Sequence, residues 1–491
     1  MATFFIEQFG CRATQADAAA IERQLLDRGY QLSRDARTAD VVVVNTCTVT
    51  AAADLQARQA IRSIHRHSPG ARVIVTGCYA QRAPDEIAAL EGVSWVVGNS
   101  HKPEIPRLVA EMQPVVGAFA RGVFPVAENI GFIPLAAVQG NSDLPASWAW
   151  RAEILTGDMR KQTELLVAAV EGGEAGHTRP VLKIQDGCDR SCSYCVIPQV
   201  RGRSRSLAPE AAITEIRKLC DGGAREIVLS GIDLGNYGRD LTPRVRLGDL
   251  LQRVLEDTST ERLRVSSIEP MDVTEDLIAI FAASDRLARH FHMPLQSGSD
   301  RILRAMHRWY RAEHYARRAE LVHERLPDAS IGADVIAGFP GETEEDHGAT
   351  MNFIEARSFT YLHVFSYSVR PGTGAATLPH HVVPATIKRR AQELRALSER
   401  KSAEFHSSQS GRTLSLLTLR HSDSTASDGK EWTPALSSNF LKLRLAGSWQ
   451  ANQLVNAVCA AAPQEYLQPQ FQSDESAIAE RQPRQTSVWP S

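Results

Sequence analysis

Three cysteines, Cys188, Cys192 and Cys195, fall within eight positions of the stretch KIQDGCDRSCSYC, in a chain that carries eight cysteines in 491 residues. Three thiols at spacings of four and three are one more than a disulfide uses. They are one fewer than a structural zinc site takes, and no further Cys or His stands at finger or ribbon spacing. A CxxxCxxC loop can instead wrap three thiolates around one iron–sulfur cube and leave one iron without a protein ligand. An open iron can chelate a small molecule and deliver an electron to it. Zinc is the weaker reading, and a local disulfide is weaker still in a reducing compartment.

A second trio is spread out. Cys11, Cys47 and Cys78 stand in the contexts GC, TC and GC, separated by 36 and 31 residues. Each gap is about one βα repeat, and each cysteine comes just past an apolar, β-branched run: 3–9, 40–44 and 72–76. In a parallel α/β sheet the carboxyl ends of the strands share one edge, where ligands bind. The three thiols are therefore expected to converge on one metal site. One such cysteine would read as a small buried hydrophobe; three at the same place in successive repeats favour a shared centre. The isolated Cys220 and Cys459 read as packing.

The elements that position these residues follow from periodicity. Continuous β-branched runs alternating with helices (about 18–29, 48–67 and 84–91, with a fourth strand at 94–98) predict a parallel sheet covered on both faces. From residue 180 the alternation returns on a larger scale, with strands expected at 181–187, 225–231, 263–268, 290–296, 331–337 and 361–367 and a helix after each, the one after 290–296 expected to run unbroken from Ser299 to Leu326. Six βα units suit a barrel-like parallel sheet. Residues 113–176, rich in Gly, Pro and Ala, read as a linker or insert with one helix near its end, and a basic helix spans about 385–407. Short alternating segments after Gly411 suit a small β-barrel, and the last 25 or so residues a disordered tail. The expected organisation is thus 1–112, 113–176, 177–407, 408–465 and 466–491.

Composition sets outer bounds. An apolar fraction of 43% and a charged fraction of 23% are those of an ordinary globular protein, and a net charge of −2 means that any nucleic-acid contact must rest on local positive charge. No run approaches the ~18 apolar residues of a membrane span, and MATFFIEQFG lacks the features of a signal peptide. The expectation is a cytoplasmic protein with no membrane contact.

Taken together, CxxxCxxC after the first strand of a six-unit barrel resembles the radical S-adenosylmethionine (radical SAM) superfamily. Three further N-terminal cysteines narrow the resemblance to its methylthiotransferases. NTCTVT, TGCYAQ, KIQDGCDRSCSYCVIPQVRGRSRS, LSGIDLGNYG, RVSSIEP, PLQSGSDRILRAMHRWY, ADVIAGFPGETEED and HVFSYSVRPGT are similar to the branch that acts on N6-threonylcarbamoyladenosine at tRNA position 37. The resemblance implies an α/β fold with three parts: an N-terminal parallel domain, a central partial (β/α)6 radical SAM barrel, and a C-terminal TRAM-like β-barrel. It implies two [4Fe-4S] clusters. Cys188, Cys192 and Cys195 would hold the one that binds and cleaves SAM, and Cys11, Cys47 and Cys78 an auxiliary one that carries sulfur. Gly231, Asp233, Ser297, Asp334 and Tyr194 become SAM-contacting candidates, although glycine-rich turns need no ligand to explain them. The family usually has Asn where this chain has Thr14.

The implied partners are the anticodon stem-loop of tRNA and a reductant such as flavodoxin or ferredoxin. Arg201, Arg203 and Arg205, directly after the cysteine loop, are candidates for clamping RNA phosphates, with Arg308, Arg311, Lys388, Arg389 and Arg390 extending the basic track. A charge run by itself would mean a solvated loop. Three alternatives stay open: a methylthiotransferase acting on isopentenyl-adenosine tRNA or on a ribosomal-protein aspartate, a radical SAM enzyme of another reaction type, and a non-catalytic, metal-stabilised RNA-binding protein.

Overall fold

The computed structural model describes residues 2–111, 152–163, 165–166, 169–170, 178–420, 431–461 and 466–467. Two compact units divide the chain, Met1–Ser402 and Ala403–Ser491.

The first unit opens with six parallel strands in the order Gln31–Leu32, Thr3–Gln8, Val41–Thr46, Arg72–Gly77, Val93–Gly98 and Glu153–Leu155. Consecutive valines of Val41–Thr46 serve opposite faces. Val42 and Val44 pack with Ile61 and Ile64 of helix Ala51–His67, while Val41 and Val43 pack with Ile21 and Leu25 of helix Arg12–Leu26. Burial on both faces is what the unbroken apolar run encodes. The edge strand Glu153–Leu155 lies inside the stretch read as a linker; three residues pairing beside Trp95–Val97 carry no periodicity of their own. Among the described residues where a helix is expected near the end of that stretch stand a 3-10 turn, Met159–Lys161, and a short strand, Ala169–Val170.

Six further parallel strands follow: Val181–Lys183, Glu226–Ser230, Arg262–Val265, His290–His292, Ser330–Ala337 and Tyr361–Ser366. Ladder pairing joins the first three and the last three, and the bridge Ser267–His292 connects the two sets, giving the expected open barrel of six βα units. Phe291, Ile331, Ala333, Val335 and Leu362 turn outward into one core with the surrounding helices. The long helix expected from Ser299 to Leu326 is instead two, Asp300–Ala305 and Ala312–Arg325, broken where His307 takes a φ of +57°.

At the amino ends of the barrel strands, the fully buried Glu226 receives Arg264 at 2.7 and 3.2 Å, Arg262 at 3.3 Å and Arg179 at 3.3 Å. Burial pushes this carboxyl up, but the three guanidiniums, Arg264 foremost, hold it down at about 2.

The second unit carries a five-stranded sheet in the order Leu454–Val458, Thr413–Thr418, Trp432–Ser437, Lys442–Ala446 and Tyr466–Leu467. It is antiparallel except for the last pair, around a core that includes Leu416, Leu443, Leu445 and Cys459. This agrees with the β module expected there. The tail expected to be disordered lies outside the described residues apart from Tyr466–Leu467.

Because Glu226 titrates near 4.5 when exposed and about 2 when folded, its stabilisation is complete above pH 4.5 and lost as pH falls towards 2. A gap of this size is worth about 3 kcal/mol. Unfolding midpoints followed against pH should fall across that window. In Glu226→Gln the acid limb should be flatter and the neutral-pH midpoint lower.

Candidate cofactor-binding site

The N-terminal trio sits on three adjacent strands. Gln8 pairs with Asn45, and Thr46 pairs with Gly77, so Cys11, Cys47 and Cys78 leave neighbouring strands, spaced about 4.8 Å apart, at nearly one level. The two preceding glycines are steric requirements. Gly10 has φ +106°, and a Cβ there would lie 2.3 Å from the Cys47 Cβ and 2.8 Å from its Sγ. Gly77 has φ +101°, and a Cβ there would lie 2.2 Å from the Thr46 carbonyl oxygen. Cys47 and Cys78 are buried and Cys11 is exposed; all three are free thiols. Cys11 and Cys47 hydrogen-bond one another, which lowers the Cys11 thiol and raises that of Cys47. Thr14, where the family usually has Asn, donates its hydroxyl to the Cys11 carbonyl at 2.6 Å. Asn99 donates to the Cys78 sulfur at 3.5 Å.

The second trio lies on a loop pinned from several sides. Gly187 has φ +75°, and a Cβ there would meet the Arg203 carbonyl oxygen at 1.9 Å, so the backbone can pass only as glycine. The Cys188 N–H donates to the Gly202 carbonyl at 3.0 Å, and the Ser193 hydroxyl to the Ala305 carbonyl at 2.8 Å. Gln185 accepts the N–H groups of Ile232 and Asp233 at 2.9 and 2.8 Å and donates to the Gly187 carbonyl, tying the Gly231–Asp233 turn to the cysteine loop. Burial raises Cys188 well above the usual thiol range and pushes Cys195 up to about 12. Neutral thiols buried without charge suit ligands that ionise when a cationic centre binds. The donor set and the glycine cradles fit one three-thiolate cluster at each trio.

Two arginines stand over this loop. Arg308, delivered by the helix break, places Nη1 3.3 Å from the Cys192 sulfur and pairs with Glu269. Arg190 donates to Asp233 at 2.8 Å and to Asp272 at 2.6 Å, its guanidinium 5.1 Å from the Trp309 ring centre. Arg308, expected on an RNA track, is thus a buried neighbour of the cysteines.

The basic loop after the cysteines also turns inward. Arg201 is 2% exposed and Arg205 8%, leaving only Arg203 exposed. Arg201 donates to Asp186 at 2.9 Å and to Asp17 at 3.0 Å; Lys102 and Lys183 also reach Asp17, and Lys183 reaches Asp186 at 2.9 Å. Asp17 belongs to the N-terminal helix Arg12–Leu26, so this buried network welds the two halves of the unit together. Asp54 repeats the device, receiving Arg82 at 3.2 Å and Arg370 at 2.6 Å. Phosphate contact by Arg201 and Arg205 is not supported, because desolvated guanidiniums held by carboxylates cannot reach RNA. Arg390 is likewise buried on Glu342 at 2.7 Å, and Arg389 pairs with Glu344 and Glu393.

A cavity of about 190 Å³ is lined by Tyr194 and Cys195 from the cysteine loop, Val49 and Thr50 from the loop after Cys47, and Gln296 and Asp334 from the barrel. Of the SAM-contact candidates, Tyr194 and Asp334 line it, and Asp233 approaches Cys188, its Oδ2 3.7 Å from the sulfur. Gly231 is half-exposed, while Ser297 is fully buried with its hydroxyl 3.2 Å from that of Thr350. Sequence reasoning missed Gln185, Arg190, Asn99 and Asp17. Gln185 and Arg190 lay within the quoted cysteine motif, whereas Asn99 and Asp17 gave no signal.

Residues 3–98 match the Uncharacterized protein family UPF0004, and residues 182–354 match the Radical SAM superfamily. The structure of the radical S-adenosylmethionine methyltransferase TsrM from Kitasatospora setae aligns with TM-score 0.50 at 16% identity over 77% of this chain and 75% of that one, a likeness of fold. Fold and cysteine loop together define a radical SAM protein with an N-terminal UPF0004 domain. The chain is 36% identical to threonylcarbamoyladenosine tRNA methylthiotransferase MtaB of Bacillus subtilis, over 85% of both chains. It is 32% identical to the Aquifex aeolicus protein of that name, over 92% of this chain and 98% of the relative. It is also 32% identical to tRNA-2-methylthio-N(6)-dimethylallyladenosine synthase of Syntrophobacter fumaroxidans, over 93% and 90%. The chain belongs to the radical SAM methylthiotransferase family.

Removing Asp17 leaves Lys102, Lys183 and Arg201 buried around Asp186 alone. Asp17→Ala should cost about 3–5 kcal/mol in chemical denaturation; a loss below about 1 kcal/mol would show that the network does not hold the halves together.

Proposed function

We propose that the chain inserts a methylthio group at C2 of N6-threonylcarbamoyladenosine at position 37 of tRNA. The observation that carries this reading is the cavity lined by Cys195 of one trio and by Val49 and Thr50, which follow Cys47 of the other, in a chain whose relatives at 36% and 32% identity are named for that modification. Cys188, Cys192 and Cys195 hold one [4Fe-4S] cluster, and Cys11, Cys47 and Cys78 hold a second. What the bound groups supply is one-electron cleavage of S-adenosylmethionine and carriage of the sulfur to be transferred, reactivity no side chain has. The C2 position of adenine offers no acidic proton to an ordinary base, which is why such chemistry is needed.

The chain's own residues do the rest. Arg308 sets positive charge beside the Cys192 ligand, and Arg190 fixes Asp233 at the turn where the methionine end of SAM is expected. Tyr194 and Asp334 form the SAM-side wall, with Gly231 at the turn before Asp233 and the buried Ser297 supporting the loop behind through Thr350. Val49 and Thr50 line the cavity from the N-terminal half. Arg203 remains as the exposed cation of its loop, and the C-terminal β unit, with Arg412 and Lys442 exposed, adds a second RNA contact. No helix among the described residues is long and apolar enough to cross a membrane, in keeping with a cytoplasmic enzyme served by a small one-electron donor such as flavodoxin or ferredoxin.

Mass spectrometry of tRNA nucleosides from a strain with and without the gene tests the assignment; the 2-methylthio-threonylcarbamoyl nucleoside should vanish on deletion. Loss of the dimethylallyl counterpart instead would assign the other tRNA branch. With reconstituted protein, Cys192→Ala should release no 5′-deoxyadenosine from SAM. Cys47→Ala should release it without sulfur insertion. Methylthio product from the Cys47 variant would refute the role given to the second trio.

A further inference from the structure

Inside the barrel, above the Glu226 cluster, two imidazoles and a carboxylate meet at one point. His292 Nε2 lies 2.9 Å from Asp334 Oδ1, and His363 Nδ1 lies 3.3 Å from the same oxygen. One ligand atom from each residue falls within 4.8 Å of the other two. These side chains come from three adjacent parallel strands, His290–His292, Ser330–Ala337 and Tyr361–Ser366, so the grouping is built by the sheet and not by a loop. Metal–ligand bonds of about 2.1 Å place neighbouring donors about 3.0 Å apart in an octahedron and 3.4 Å apart in a tetrahedron; both measured edges fit.

Two features separate this grouping from an ordinary histidine–carboxylate pair. The remaining nitrogen of His292, Nδ1, lies 3.1 Å from the Tyr361 hydroxyl, which in turn lies 2.8 Å from His290 Nε2. That is the outer-sphere support which fixes the ring of a metal-bound histidine. Asp334 also lines the cavity between Cys195 and the loop after Cys47, and the His363 side chain is half-exposed, so the grouping borders open space beside the cysteine loop.

We propose that His292, Asp334 and His363 bind one divalent transition-metal ion, of the zinc, iron(II) or cobalt(II) type, whose open positions accept an oxygen ligand from the substituent on the target adenine. Two imidazoles and one carboxylate suit such borderline ions, and leaving the rest of the sphere open is the arrangement of a metal that binds substrate. The second half of the proposal rests on the function proposed above. A threonylcarbamoyl group carries a carboxylate and a hydroxyl that can ligate a metal, whereas a dimethylallyl group carries no donor atom. The metal would thereby read the N6 substituent.

The test uses the holoenzyme with both clusters reconstituted, so that the six cysteines are engaged, titrated anaerobically with Co2+. Wild type should take up one further equivalent with visible ligand-field bands and unchanged iron content. His363→Ala and Asp334→Asn should abolish those bands, and Tyr361→Phe should weaken binding about tenfold or more. Absence of Co2+ uptake, or uptake unchanged in His363→Ala, overturns the site. Affinity for an anticodon stem-loop is then compared with and without Zn2+. The metal should strengthen binding of RNA bearing threonylcarbamoyladenosine and leave RNA bearing plain adenosine unaffected; equal effects on both overturn the substrate-reading role while the site stands. Neither result depends on nucleoside analysis of the deletion strain, which alone decides the proposed function.

Discussion

Everything in the first unit depends on a carboxylate with almost no contact with water. Asp17 lies on the first helix, yet its partners Lys102, Lys183 and Arg201 come from three distant parts of the chain. Together with Asp186 it leaves two negative charges facing four positive ones, counting Arg205 at 3.9 Å. Such a cluster contributes little net stability against an apolar core of the same volume, but its geometry is unforgiving, since any one partner misplaced strands the others without solvent. That intolerance fixes how the N-terminal sheet meets the barrel, and with it where one cysteine trio stands relative to the other. Asp54 with Arg82 and Arg370 adds a second such point, next to Thr48, which follows Cys47 and whose carbonyl accepts from Arg370 at 3.3 Å.

What could be read from the chain beforehand divides along physical lines. The barrel, the N-terminal sheet and the placement of three cysteines at one edge of that sheet were legible because periodicity reports burial, and because positions just past successive strands must share an edge. The arginines were not. ArgGlyArgSerArg looks the same whether it faces water or a buried carboxylate, and the partner that decides the matter, Asp17, is 184 residues away. Arg308 was misplaced for a different reason: an uninterrupted helical pattern hid the break near His307, and only that break swings the guanidinium onto Cys192. The short strand Glu153–Leu155 was invisible because three residues cannot display a period of two.

Charge therefore has a different meaning here from the one composition suggests. A near-neutral chain that handles RNA would be expected to display its cations, yet many arginines of the first unit point inward. Arg262 and Arg264 hold the floor of the barrel, Arg201 and Arg205 the joint between halves, and Arg190 and Arg308 the rim of the cysteine loop. A guanidinium presents five donors in a fixed plane, against three on a lysine, and so can serve carboxylates, carbonyls and a sulfur from one side chain. The interior of this protein is organised around that capacity.

The glycines before Cys11 and Cys78 have one more consequence. Because the backbone passes so close at Gly10 and Gly77, the first trio's positions follow from strand pairing and leave little rotational freedom to lose. The ordering entropy usually charged to ligand capture is thus already met when the sheet folds. On the function proposed above, such a receptacle would take up a prebuilt inorganic core as a rigid mould does, by docking that follows folding instead of driving it.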